Sequence, residues 1–232
     1  MRQLCIPFLL VALTGCVSRL YIADDYSGFL KNYSRLEKVE TPSESDVWRW
    51  ISPDIKSRHY KAVYFEPLIF FPQPHTQDQV SREALETIRQ AMEAKVLDVA
   101  NHLGLPRARQ KGAGVLVIKP AITSLSVKLQ DLQIREIIPV RLVISGAELA
   151  MGWRDKDVTF LLESELQDGQ TGQTMAMSVR KIKTLPLQDD KQKLSIEHAR
   201  SEINQLGKDL KIDFANLKAL IEEKRSSQAV PR

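Results

Sequence analysis

Cysteine is nearly absent from this sequence of 232 residues, which contains only Cys5 and Cys16. The few histidines stand alone, and no pair has the short H-x-H or H-x-x-x-H spacing of metal ligands. A zinc site needs several such ligands close together, and a disulfide framework needs paired cysteines. The sequence therefore favours neither class of protein, and we expect no metal and no cofactor.

Long apolar runs are also lacking, apart from one short run near the amino terminus. Residues 4–13 carry no charge, follow the cationic Arg2, and are followed by the small residues Thr14 and Gly15. A membrane-spanning helix needs about 20 apolar residues, so this run is too short to be one. Its layout is that of a secretory signal, and we expect residues 1–15 to be a signal peptide.

Cys16 follows this run directly, and the sequence LTGC at residues 13–16 resembles a bacterial lipobox. The resemblance implies cleavage between Gly15 and Cys16 and acylation of the Cys16 thiol. Cys5 would leave with the signal, so the mature chain could form no intrachain disulfide. The alternatives are an ordinary cleaved signal and a buried strand with an incidental cysteine. Val17, in place of aspartate, favours sorting to the outer membrane with the protein facing the periplasm.

Charge and composition exclude further classes. The apolar fraction is 43%, the charged fraction is 27% and the net charge is +4, which are values of an ordinary globular protein. Basic residues alternate with acidic ones instead of forming a stripe, so we expect no nucleic-acid partner.

We divide the chain into the signal (1–15), a lipid-anchored tether or docking arm (16–45), one globular domain (46–225) and a disordered tail (226–232).

A recognisable opening follows the lipobox. The sequence YSGFL at residues 26–30, followed by Tyr33, Ser34 and Leu36, resembles the start of a family of bacterial envelope lipoproteins of unknown function. Two weaker matches are YKAV at residues 60–63 and DGQTGQ at residues 168–173. The resemblance implies an envelope location but no activity. Tyr26, Phe29, Leu30 and Tyr33 are our candidate docking residues, either on the chain's own domain or on a partner.

Hydrophobic periodicity predicts the elements of the domain. Strands are expected at 61–71, 114–127, 158–166 and 171–182, the last two joined by a hairpin turn. Helices are expected at 79–103, at 139–151 and, as one long amphipathic helix, at 190–224. The helix between the first two strands favours a parallel, right-handed pair. We therefore predict an α+β fold, with a single small mixed sheet packed by an amphipathic helix after the first strand and by a long carboxy-terminal helix.

Candidate chemistry is sparse. No G-x-S-x-G motif occurs, and Glu163 and Glu165 alternate with leucines, which predicts a solvated strand face. Two apolar stretches stand out, LIFFPQP at 68–74 and the helix at 139–151. Burial explains both, but exposed together they would form an apolar pocket or patch. Its candidate residues are Phe70, Phe71, Leu142 and Val143.

The function we expect is therefore binding, not catalysis. The first hypothesis is a non-enzymatic lipoprotein, anchored in the membrane by lipid on Cys16, that binds an unknown envelope protein. The alternatives are a carrier of a small apolar ligand or lipid, and a hydrolase without identified catalytic residues. A cavity larger than ~300 Å³ would favour a ligand, and a flat apolar patch would favour a protein partner.

Overall fold

The computed structural model describes residues 27–74, 79–129, 156–189 and 191–228. These residues form one mixed sheet of seven strands and two α-helices, which confirms the predicted α+β fold class. The strands are β1 (Glu37–Val39), β2 (Val47–Ile51), β3 (Ala62–Phe65), β4 (Ile69–Phe70), β5 (Val115–Leu129), β6 (Lys156–Asp168) and β7 (Thr174–Lys183). The helices are α1 (Arg82–His102) and α2 (Ile196–Gln228).

The strand order is β1-β2-β7-β6-β5-β3, with β4 also paired to β5. β3 and β4 run parallel to β5, and α1 lies between β4 and β5 in sequence. This arrangement confirms the predicted parallel pair with a helix between its strands. The prediction of one strand at 61–71 is wrong, because this segment forms two separate strands, β3 and β4. Pro120 of β5 lies opposite this division: β3 pairs as far as Ile118 and β4 pairs from Ala121. Proline has no N–H to donate to a ladder.

Capping groups set the bounds of the helices. The Ser81 hydroxyl accepts a hydrogen bond from the Ala84 N–H, as expected of an N-cap. Gly104, at φ 61°, follows the end of α1. α2 begins at Ile196, six residues later than predicted, because the Asp189 carboxylate accepts hydrogen bonds from the N–H groups of Lys191 and Gln192 in a separate turn.

The two faces of the sheet are covered differently. α1 and α2 cover one face, which we call the helix face. Residues 27–36 cover the other, which we call the arm face, where Leu30, Tyr33 and Leu36 are buried against side chains of β6 and β7. Residues 27–45, which the sequence assigned to the tether and docking arm, thus lie on the folded unit and contribute β1 to the sheet.

The prediction of a solvated face at Glu163 and Glu165 is wrong. Each is only 2% exposed, because the arm face that carries them is covered and not open to solvent. The predicted helix at 139–151 lies outside the described residues.

Candidate functional site

A row of three small side chains and one arginine crosses the helix face of the sheet. Pro120 on β5, Ser164 on β6, Ser178 on β7 and Arg49 on β2 are successive partners across four strands. The hydroxyls of Ser164 and Ser178 lie 2.8 Å apart and bond one another. Proline and serine side chains are too short to reach the helices, so this row leaves space between the two layers.

The space is a cavity of about 720 Å³ that is lined by residues of both hydrophobic clusters of the helix face. One cluster includes Met92 and Phe160, and the other includes Leu116 and Phe214. The walls are mainly apolar and come from α1, α2 and the flanking rows of the sheet. They include Phe65, Met92, Val96, Ile118, Leu162, Leu166, Leu206, Leu210, Phe214 and Leu217.

Two arginine–aspartate pairs connect α2 to the strands that line the cavity. An Arg49 guanidinium nitrogen lies 2.6 Å from a carboxylate oxygen of Asp213. One helical turn earlier, Arg180 lies 2.5 Å from Asp209. Both arginines line the cavity, and both are neutralised by these aspartates. The pairs therefore connect α2 to β2 and β7 at the wall of the cavity.

The Arg180–Asp209 pair is the more deeply buried of the two, with side-chain exposures of 8% and 2%. Asp209 also accepts hydrogen bonds from the backbone N–H and the hydroxyl of Ser43. Burial alone would raise the pKa of Asp209, but the hydrogen bonds from Ser43 and Arg180 outweigh it and lower the pKa. Asp209 is therefore held as a carboxylate that fastens the loop before β2 to α2.

A second polar cluster lies on the arm face, around Glu163. Its Oε1 accepts hydrogen bonds from the hydroxyls of Thr123 (2.6 Å) and Ser27 (3.0 Å), and its Oε2 accepts one from Tyr33 (2.6 Å). Burial raises the pKa of Glu163, although these three hydrogen bonds act in the opposite direction. Burial and the neighbouring Glu163 carboxylate also raise the pKa of Tyr33. The cluster is a fastening for the arm, since all its donors are used within the chain.

The predicted docking residues that the structure describes contact the chain's own fold. Leu30 and Tyr33 are buried, and Phe29 is partly buried. The ring of Phe29 makes an edge contact with Phe71, at 5.6 Å between centroids. The predicted arm and the predicted apolar patch therefore meet one another.

The remaining predicted site residues fall into two groups. Phe70 packs against the first core cluster and Phe71 is 37% exposed, but neither lines the cavity. The two described residues of the predicted apolar pocket or patch therefore lie outside this cavity. Gly15, Cys16, Tyr26, Leu142 and Val143 lie outside the described residues.

The residues that shape the cavity were missed by the sequence analysis. A signal was present: serine interrupts the apolar face of both hairpin strands, as Leu162-x-Ser164-x-Leu166 and as Ala176-x-Ser178. Small polar residues at such positions imply a gap or an unusual neighbour. The pairing of the two serines depends on the hairpin register, which composition alone does not give.

Metal and membrane features are missing from the described segments. No group of three or more His, Cys, Asp or Glu residues in them is arranged to hold a metal ion. No helix in the same segments combines the length and the apolar character that crossing a bilayer requires. None of the described residues that line the cavity is a histidine.

Comparison with protein families and curated proteins gives a consistent result. A family model described as "Protein of unknown function (DUF3313)" matches residues 25–210. The uncharacterized lipoprotein YdcL of Escherichia coli is 28% identical to this chain over 209 residues, which are 90% of this chain and 94% of the relative. The same lipoprotein from a second strain matches equally.

Solved structures resemble the chain only distantly. A neuraminyllactose-binding hemagglutinin homolog from Helicobacter pylori is 10% identical, with a TM-score of 0.37, and the match covers 83% of this chain and all of the other. The PelC dodecamer from Paraburkholderia phytofirmans is 11% identical, with a TM-score of 0.31, and the match covers 71% of this chain and 93% of the other. Similarity at this level carries no argument about function.

Proposed function

We propose that this chain, which belongs to the DUF3313 family, is a lipid-anchored envelope lipoprotein that binds one apolar ligand between its helices and its sheet. The observation that carries the proposal is the cavity of about 720 Å³. Ligand sites in proteins typically measure about 300–1,000 Å³ and have mostly apolar walls with a few polar groups. The cavity above the Ser164–Ser178 pair has this size and this lining.

The anchor is proposed at Cys16. The LTGC sequence at residues 13–16 supports it, and so does the similarity to a protein named as a lipoprotein. Several acyl chains on one residue hold a protein in a membrane far more firmly than a single chain does. With Val17 after the cysteine, we place the protein at the outer membrane, facing the periplasm.

The chemistry of the walls indicates what the ligand is. The floor offers two serine hydroxyls, and the arginines at the wall are already neutralised by Asp209 and Asp213. An anionic group on a ligand would find both arginines already paired with aspartates. A hydroxyl or carbonyl group, in contrast, could form a hydrogen bond with Ser164 or Ser178. We therefore propose a lipid-like molecule with an acyl chain and a small, weakly polar end.

We place the apolar-ligand hypothesis before the protein-partner hypothesis. The arm proposed for a protein partner is already used within the chain, because Leu30 and Tyr33 are buried against the sheet. We propose no catalytic step, since the two serines of the floor bond one another and not a base. An envelope protein partner would have to use another surface.

The proposal is tested by identifying what the cavity holds. The lipidated protein is purified from membranes in mild detergent, denatured, and analysed by mass spectrometry for released small molecules. We expect a lipid-like molecule in near-stoichiometric amount, and its loss in a Ser164→Leu, Ser178→Leu double variant whose side chains fill the cavity. A release that is the same from both proteins would contradict the proposal, because it would come from detergent-bound lipid.

A further inference from the structure

We infer that the arm face docks on an anionic lipid surface, so that the domain lies against the membrane. This inference rests on the anchor at Cys16 in the proposed function. The arm face carries an excess of basic side chains, two tryptophans and the end of the tether, and these three features lie on the same side of the sheet.

The basic side chains belong to three elements. Lys31 and Arg35 lie on the arm itself and are exposed. Lys38 on β1 pairs with Asp46 at 2.8 Å. Lys181 and Lys183 follow Val179 on β7 at intervals of two residues, and Val179 is buried beneath the arm. Side chains two residues apart on a strand share a face, so both lysines lie on the arm face.

The charges of this surface do not cancel. The hydrogen bond from Lys38, with the charges of Lys183 and Lys181, lowers the pKa of Asp46, so one carboxylate is shared among three lysines. Asp54 is a further acid beside the arm. Glu163 and Glu165 also belong to this face, but each is only 2% exposed. At the surface the cations outnumber Asp46 and Asp54, and the anionic phosphates of a membrane attract such groups within a Debye length of about 8–10 Å.

Two tryptophans lie among these cations. Trp48 and Trp50 are partly buried on the arm face. The Arg35 guanidinium lies 5.0 Å from the ring centroid of Trp50, and the Lys38 ammonium lies 5.8 Å from that of Trp48. Tryptophan beside lysine or arginine is typical of groups at the level of lipid headgroups. A recess of about 490 Å³ next to Trp50, lined in part by Lys31 and Arg35, has room for a lipid phosphate.

The length of the tether keeps this face near the bilayer. Ser27 is bonded to Glu163 on the arm face, and ten residues, 17–26, lie between Ser27 and Cys16 in sequence. Ten residues span at most about 35 Å when fully extended. Because the tether leaves the fold on the arm face, this face is the one that the anchor holds towards the membrane.

The test separates docking from anchoring by removing the acyl chains. The mature chain, residues 16–232 with Cys16→Ser, lacks both the signal and the acyl chains; it is mixed with vesicles of phosphatidylcholine, with or without phosphatidylglycerol, and bound protein is measured by co-sedimentation. We expect at least tenfold tighter binding to the phosphatidylglycerol vesicles. The Lys31→Glu, Arg35→Glu variant and, independently, the Lys181→Glu, Lys183→Glu variant should lose most of this difference.

A matched variant controls for net charge. Lys208→Glu with Lys211→Glu changes the charge equally on exposed positions of α2, behind the opposite face, and should keep the preference within twofold. Equal binding to both kinds of vesicle, or an equal loss in the α2 variant, would overturn the inference. The mass of the mature amino-terminal peptide tests the anchor at Cys16 separately. Failure of the anchor and failure of the docking surface are therefore distinguishable.

Discussion

The hydroxyl of Tyr33 donates a hydrogen bond of 2.6 Å to Oε2 of Glu163, which is 130 residues away in sequence. The bond fastens the amino-terminal arm across the centre of the sheet. Ser27 and Thr123 occupy the other carboxylate oxygen, which satisfies a buried group that would otherwise be costly. The YSGFL opening thereby acquires a physical role: it supplies the Ser27 hydroxyl and the buried Leu30 side chain.

Loss of this hydrogen bond should destabilise the fold. Tyr33→Phe removes one donor from a buried carboxylate, which typically costs about 1–3 kcal/mol of unfolding free energy. Urea unfolding monitored by circular dichroism measures it. Tyr64→Phe on β3, outside the Glu163 cluster, is the matched control and should change stability by less. Equal effects of the two variants would show that the cluster does not fasten the arm.

The same cluster predicts a pH dependence. Burial raises the pKa of Glu163 above the ordinary value of 4.5, so the folded state retains the proton more readily than the unfolded state does. The contribution of Glu163 to stability is therefore fully present below pH 4.5 and is lost as pH rises through the folded pKa. We expect the stability of the wild type relative to Glu163→Gln to decrease over this range. A relative stability that increases with pH would contradict the predicted direction.

Asp209 and Asp213 should differ in importance although they lie one turn apart on α2. Asp209→Asn leaves the buried Arg180 without its counter-ion, and breaking such a pair typically costs about 3–5 kcal/mol. Asp213→Asn weakens a pair whose members are 27% and 29% exposed, for which about 1 kcal/mol or less is expected. Denaturant unfolding of the two variants checks this order, and similar losses would contradict it.

Lipidation is predicted at Cys16. The mature amino-terminal peptide isolated from membranes should begin at Cys16 and carry the added mass of acyl chains. Cys16→Ser should abolish both the processing and the added mass, as measured by intact-peptide mass spectrometry. A wild-type chain that begins elsewhere, or an unmodified Cys16, would refute the anchor and leave the cavity to be explained in a protein without one.

Hydrophobic periodicity predicted the elements whose formation depends on residues close together in sequence. The apolar stripe of α1, the stripe of α2 and the β6–β7 hairpin follow from local spacing and turn residues, and the parallel pairing of β3 with β5 follows from the helix between them. β1 and β2 were missed, because both strands are short and the segment from Glu37 to Ile51 carries many polar residues and no long alternation.

The two functional clusters could not be predicted from local pattern. Glu163 alternates with leucines as a solvated residue would, and the donors that allow its burial are distant in sequence, at Ser27, Tyr33 and Thr123. The cavity likewise depends on register, since Pro120, Ser164 and Ser178 leave a gap only because they are adjacent across strands. The cavity therefore arises only when the helices and the sheet are packed together.

The most direct test of the account is a titration with the methyl ester of cis-parinaric acid, a neutral fluorescent acyl probe, monitored by its emission. The wild type should bind it saturably, and Ser178→Leu, which fills the floor of the cavity, should weaken binding at least tenfold while the thermal melt shows a folded protein. Ser201→Leu makes the same change at an exposed position of α2 and should bind like the wild type. Non-saturable binding, or equal affinity in all three proteins, would contradict a ligand site between the helices and the sheet.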